Sequence, residues 1–500
     1  MFSCTVKSIL FSCAALVLAG CSVIENSHRQ KEPMMADYIV GKNAGVEAFV
    51  AEKLDPESWG NVVGSGDEIM WRLESGSIHF HLGKFKESAE QFRLAEELIA
   101  SYDERAVVSL RDAGSEAGAA VTNMNALPYR GFCRDRIALC IYKSLAYLGE
   151  GRESAFRAQL RRLRNEQKKI QADYAAFFEA EQAELQKARK ENEAVAKEKN
   201  PDRTPEQLAA EPQNAVWAAE LKNINETAHR GYAEFLNPAA IFLSGLGSLW
   251  DGRYDNARID FKRLYEAMPQ NPMTRQYYVT GLRMADRPVP AELQGVPAFD
   301  FPLERNCVYV LLANGRGAAF RQIGIHFPVM TAWPVCEFYP AAFQKLKVSS
   351  GRKVYESMLL ADMDGIIARE FQERLPGMIT RIILSTAIKE AAYYAALAAA
   401  REISDSSVRA IAMISVAALG TAYRAAVNTA DTRSWELLPK EFQLTQLPMP
   451  GNRCVSLTLE GMQTQKWEVQ IPVRAESAII FVSAVNEKNI RYHVFPLGGK

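Results

Sequence analysis

No sign of charge predominates in this chain of 500 residues: 59 Lys and Arg stand against 59 Asp and Glu, with only 6 His. A net charge of zero offers no basic stripe to neutralise phosphates, which excludes the usual footprint of a nucleic-acid binder and gives no bias toward acidic membranes. Outside the N-terminus no apolar run approaches the roughly 20 residues that a membrane-spanning helix needs, so the remainder is expected to fold as a soluble body. Cysteine is sparse, 8 in all and never as Cys-x-x-Cys, which removes a disulfide framework and the common zinc and thioredoxin motifs. Gly-x-Ser-x-Gly, His-Glu-x-x-His and the phosphate-loop pattern are all missing, so no catalytic residue, metal or cofactor is assigned. His79 and His81 are two apart on an expected helix and point to different faces. Asp362-Met-Asp364-Gly365 lacks the further oxygen ligands of a calcium loop, and Asp364 reads better as the cap of a helix beginning at Ile366. What is present is 48% hydrophobic and 10% aromatic residues, a foldable composition with length for about three domains.

The N-terminus carries an address. One lysine, Lys7, precedes the apolar stretch Ser8 to Leu18, which ends in Leu18-Ala19-Gly20-Cys21. Its length suits a signal peptide rather than a span. The small residues before the cysteine and the thiol itself resemble a bacterial lipoprotein signal, which implies cleavage before Cys21 and acylation of that residue. More than one acyl chain holds a protein firmly. Ser22 in place of Asp implies, by the same resemblance, the outer membrane. Residues 22–36 are polar and aperiodic and are read as a tether. After Cys4 and Cys13 leave with the signal, Cys133, Cys140, Cys307, Cys336 and Cys454 remain as free thiols. Cys133 and Cys140 would sit about 10 Å apart on one helix, too far to bridge.

From 37 to 290 the chain reads helical. Gly76, Gly83, Phe85, Phe92 and Ala95 recur as Gly245, Gly252, Tyr254, Phe261 and Leu264, with identical intervals in both sets. This arrangement resembles the tetratricopeptide repeat, a helical hairpin in which the first glycine admits the partner helix and the second ends helix A. Tyr147 to Gly151 followed by Ala155 and Leu160 is a weaker echo. Residues 156–199 read as one long charged helix, closed by Asn200-Pro201 and Pro205, after which 206–236 returns as helix. By resemblance, helix A lines the concave face of such repeats. That makes Phe80, His81, Phe242, Leu246 and Trp250 the candidate partner-binding residues, with packing against neighbouring helices as the alternative.

Near Pro288 the character changes, and Pro288, Pro290, Pro297 and Pro302 mark a linker. Strands are expected at 307–312 and 319–326, joined as a hairpin at Asn314-Gly315. Further strands are expected at 454–459, 466–473, 478–485 and 490–495. The expected architecture is α+β and multidomain: a tetratricopeptide-like helical region, then a β-sandwich-like domain in two parts, 291–354 and 431–500, interrupted by a helical insertion at 355–430. Ala, Ile and Val crowd that insertion, but charges break it, so a buried hairpin is expected, with partner docking or peripheral membrane contact as the alternative. Asp431, Arg433 and Trp435 are read as a junction between insertion and sheet, with ligand binding as the alternative.

Pro128-Tyr-Arg-Gly131 with Asp135-Arg136, the segment Phe371 to Lys389, and Asp431-Thr-Arg-Ser-Trp435 with Leu438-Pro439 together resemble an uncharacterised family of bacterial envelope lipoproteins with tetratricopeptide repeats. The resemblance implies lipid anchoring and a scaffold, and supplies no catalytic residue. The expected function is therefore an outer-membrane lipoprotein facing the periplasm that binds another envelope protein through its repeats. A cell-wall enzyme or its regulator, acting through the β domain, is the alternative. A self-assembling structural component is a third reading.

Overall fold

The computed structural model describes residues 26–111, 128–191, 204–233, 236–327, 329–427 and 429–498. The lipoprotein signal and Cys21 lie outside them. The first element, α1 (Ser27–Ile39), starts at Asn26, whose side chain accepts the Arg29 N–H at 3.0 Å. Most of the expected tether is thus helix. Its polar look is deceptive because Met34, Met35 and Tyr38 are buried and Lys31 is wholly enclosed against Glu74 at 2.6 Å. Helix α2 spans Asn43–Lys53.

Two hairpins then share one geometry. In the first, α3 (Glu68–His81) and α4 (Phe85–Arg111) meet where a Cβ on Gly76 would lie 2.5 Å from the Phe92 ring, and Gly83 turns the chain at φ +77°. Only glycine fits both positions without strain. Next come α5 (Cys133–Gly149) and α6 (Glu153–Glu191). At 39 residues, α6 is about 58 Å long. Phe156, Leu160, Leu163 and Ile170 are buried along its first half; 192–199, the rest of the expected long helix, lies outside the described residues. The segment expected as helix over 206–236 is instead α7 (Pro205–Ala209), a 3₁₀ turn at Pro212–Asn214 and α8 (Ala215–Ala228). Pro212 has no N–H to continue α7, which explains the break. The second matched hairpin is α9 (Pro238–Trp250) and α10 (Tyr254–Ala267), where a Cβ on Gly245 would meet Phe261 at 2.6 Å and Gly252 turns at φ +70°. Helix α11 (Pro272–Met284) packs against α10.

The proline-rich segment that follows is docked rather than free, with Leu293 and Leu303 buried and Phe299 and Phe301 against the helical core. The strands are β1 (Cys307–Asn314), β2 (Ala319–Phe327), β3 (Val329–Glu337), β4 (Lys345–Ser350), β5 (Lys353–Glu356) and β6 (Met358–Asp362). Helices α12 (Met363–Arg401) and α13 (Ser406–Val427) intervene before β7 (Glu441–Pro448), β8 (Cys454–Glu460), β9 (Gln465–Gln470), β10 (Ser477–Asn486) and β11 (Asn489–Leu497). One sheet has the order β11-β10-β1-β7-β6, another β5-β4-β8-β9, and β2 pairs with β3 alone. The inserted block therefore begins at Met363, not 355, because Leu360 and Ala361 are buried in β6.

The expected pairing of β1 with β2 does not form. Asn314 is held in the sheet, donating to Phe343 O at 2.7 Å and Glu441 Oε1 at 2.8 Å, while Gly315 at φ +70° turns the chain away. β1 lies between β10, to which it is parallel, and β7.

Every residue of β1 is buried. Val308, Val310 and Leu312 face the four-stranded sheet, packing with Leu346, Val348 and Leu457. Tyr309, Leu311 and Ala313 face the helices. Strands buried on both faces lose the alternation of polar and apolar residues, so the five-stranded sheet is the middle of three layers. A separate core joins β2 and β3 to α8 and α12 through Trp217, Phe320, Trp333, Phe371 and Ile379. Asp362 caps α12, accepting the Gly365 N–H at 2.9 Å. Asp364, expected in that role, instead accepts the Ala318 N–H at 2.8 Å and pairs with Lys440.

Candidate docking surface

The residues expected to bind a partner are packed inside the protein. Phe80 is 1% exposed and its ring meets Phe481 at 5.1 Å, Tyr142 at 5.2 Å and Phe85 at 5.5 Å. His81 reaches Ser483 Oγ at 3.0 Å and Asn489 Oδ1 at 2.9 Å, and burial pushes its pKa down to about 4. Phe242 lies 6.0 Å from Tyr309, Leu246 is fully buried, and half-buried Trp250 lies 6.1 Å from Tyr309 and 5.9 Å from Phe156. The helix-A face is thus occupied by the chain's own five-stranded sheet. The sheet's second apolar face, built by Tyr309, Phe481 and Phe495, needs a cover, and this groove supplies it.

Asp431, Arg433 and Trp435 form a junction, but with the N-terminal helices around α3. Arg433 Nε and Nη2 donate to Asp431 at 2.9 and 2.8 Å, and Nη1 reaches Asp67 at 3.0 Å. Burial opposes ionisation of Asp431, yet the guanidinium outweighs it and holds the carboxyl below its usual range. Trp435 donates to Ser77 Oγ at 2.9 Å and packs against Phe92 at 5.8 Å. Beside it, the Glu74 carboxylate accepts the N–H groups of Glu436 at 2.8 Å and Leu437 at 3.1 Å as well as the Lys31 ammonium, which also donates to Ser434 O. Burial raises the Glu74 pKa, with Lys31 offsetting part of the rise.

Among the described residues, no three His, Cys, Asp or Glu side chains gather as a metal site. The five thiols are free, and burial pushes Cys140 and Cys307 up to about 12, which suppresses thiolate chemistry. The two larger sheets pack through hydrophobic side chains, mostly aliphatic with Phe343 among them.

Two outer surfaces bear on binding. The α12–α13 hairpin, expected to be buried, is buried only in part. Ile383, Leu384, Ala387 and Glu390 continue a buried stripe on α12, and α13 packs along α12 with several side chains of its first half exposed. Ser407, Ala410, Ile411, Ile414 and Ala417 recur at helical spacing on that exposed side, and Ile411 and Ile414 are 48% and 70% exposed. Tyr394 on α12 is 60% exposed. Among the described residues no helix is long and apolar enough to cross a membrane.

The second is an open groove of about 460 Å³ between α7 and α8, lined by Ala209, Ala210, Ala218 and Leu221 and rimmed by Glu206, Lys222, Asn225, Glu226 and His229. Thr204 sets α7 in place by a reciprocal cap with Gln207, and the Trp217 indole donates to Pro205 O at 3.0 Å, tying the two helices together. Sequence reading missed this groove because it needs the chain break at Pro212; the small pair Ala209-Ala210 just before that break was the only local sign. Comparison with protein-family models, curated proteins and solved structures gave no match.

Proposed function

We propose that this chain is a lipid-anchored scaffold of the bacterial cell envelope, held at the outer membrane by acyl chains on Cys21 and facing the periplasm, which binds a partner protein in the α7–α8 groove. Tetratricopeptide-like hairpins serve here to carry the sheet, since their helix-A face is filled internally. The observation that carries the reading is the groove itself: an open hollow that brings Ala209, Ala210, Ala218 and Leu221 together with Glu206, Lys222 and Glu226 offers both apolar contact and charge to a partner's side-chain anchor. A cell-wall enzyme acting from the sandwich interior is less well supported, because the two sheets meet through a hydrophobic core.

The test is crosslinking in living cells from a photoreactive residue at Lys222, whose side chain is 76% exposed on the rim. One envelope protein should be captured from this position, not from Met462, which is 95% exposed on another loop. Ala218→Arg, which fills the groove, should abolish capture. Failure to capture anything from folded, anchored protein refutes the reading.

A further inference from the structure

Three surface features are linked to one short segment, 431–436, two of them by direct contact and the third through the chain. The described chain begins at Asn26, and two residues later His28 donates its N–H to Thr432 Oγ1 at 3.2 Å and places its ring 3.3 Å from Glu436. Cys21 is five residues before Asn26, a reach of at most about 17 Å. The second feature is the loop between α2 and α3, joined to the same segment by Asp67 and Arg433 at 3.0 Å. Its tip carries Trp59, 99% exposed, with Val63 at 37%. The loop is tied internally, since Asn61 Nδ2 donates to Pro56 O at 3.1 Å and Ser58 O at 2.9 Å, and Val62 N donates to Lys53 O at 2.9 Å. A held loop that presents a bare indole is a different matter from an incidental exposed side chain. The third feature is the α12–α13 hairpin, whose returning chain leads directly into the segment and whose outer stripe of Ala410, Ile411, Ile414 and Ala417 carries no charge.

We propose that Trp59 and the outer stripe of α13 form a membrane-facing surface, which lies on the phospholipid leaflet that holds the acyl chains of Cys21. The inference rests on the lipid anchor of the proposed function. A bilayer is favoured over a protein because of where the chain emerges: the acylated residue cannot be farther from this end of the molecule than the short link allows. Once one end is tethered, contact with the leaflet is effectively intramolecular, and a few weak apolar contacts suffice. Indole rings also favour the headgroup region, where an apolar body and a polar N–H are both accommodated. The stripe is convex and rich in small side chains, without the concave pocket that a protein anchor residue fills.

The test uses the full chain in vesicles of phosphatidylethanolamine and phosphatidylglycerol with brominated acyl chains, which quench tryptophan on contact. The Trp59 signal is the difference between the native chain and Trp59→Phe. Ile414→Trp and Met462→Trp, each in the Trp59→Phe background, report the stripe and a remote exposed loop. Quenching by about half or more at 59 and 414, with none at 462, is expected of residues at the interface. Equal behaviour at 414 and 462 in chains that float with the vesicles overturns the proposal, as does crosslinking from 414 to a second copy or another protein. If mass measurement finds no acyl group on Cys21, the anchor reading fails separately. Excess vesicles added to the Cys21→Ser chain then decide the surface alone: quenching at 59 and 414 sustains it, and its absence overturns it.

Discussion

Replacing Glu74 by Leu should damage this protein far more than replacing Lys31 by Met, although the two form one fully buried ion pair. Glu74 holds the Lys31 ammonium and also accepts the N–H groups of Glu436 and Leu437. Glu74→Leu therefore leaves a buried ammonium with Ser434 O as its remaining acceptor, together with two N–H groups without partners. A buried ammonium that has lost its carboxylate partner costs about 3–5 kcal/mol. Each orphaned N–H adds about 1–3 kcal/mol. That combination approaches the whole stability of a typical domain, about 5–15 kcal/mol. In Lys31→Met, Glu74 keeps both N–H donors and can take up a proton, at no more than about 4 kcal/mol at pH 7 and about 1 kcal/mol at pH 5. The sign follows from the raised Glu74 pKa, which loses its one cationic offset when Lys31 is removed. Between the ordinary carboxylate value and the raised one, the folded state binds a proton that the unfolded state lacks, so the variant gains stability as the pH falls through that window. Urea unfolding followed by tryptophan fluorescence at pH 5 and pH 8 measures both effects. Equal losses in the two variants at pH 8, or a Lys31→Met loss that does not shrink at pH 5, would refute the reasoning.

His81 predicts a pH effect of opposite sense. Its folded-state pKa of about 4 lies below the ordinary value, so below about pH 6.5 the unfolded chain takes up a proton that the folded chain refuses. The stability it contributes is lost as the pH falls, by about 3 kcal/mol at pH 4. His81→Gln should flatten the melting temperature against pH between 7.5 and 4.5, and a curve parallel to the native one would count against this account. In the hairpins, Gly76→Ala and Gly245→Ala should each cost about 1–3 kcal/mol by overpacking against Phe92 and Phe261. Gly295→Ala, with open space around it, should stay within about 0.5 kcal/mol; thermal melts that rank the three alike would remove the close-packing argument.

Part of the fold was legible in the order of residues alone. The matched glycine and aromatic positions located two hairpins, because a Cβ-free contact and a positive-φ turn are local demands that few other residues satisfy. The long α6 showed in its unbroken run of helix formers. The middle sheet was harder to read. Buried on both faces, β1 carries no alternation, and Asn314-Gly315 signalled a turn without specifying which strand would pair next. Misreading of the candidate partner residues has the same origin. Phe80, His81, Phe242 and Leu246 lie on the faces of α3 and α9 that meet the sheet, but sequence spacing cannot say whether another protein or the same chain fills such a face.

The α1 tether and the α12–α13 hairpin were misjudged in opposite directions. Polar residues such as Lys31 became buried because a partner 43 positions away satisfied the charge, while apolar residues such as Ile414 stayed bare because the core beneath α12 was already filled. The sequence by itself determined the helical hairpins, which depend on residues close together in the chain. Only the tertiary structure decided that the N-terminal helices cover the five-stranded sheet, and that the α7–α8 groove, Trp59 and the α13 stripe stay on the outside, because burial is settled by contacts between segments hundreds of residues apart.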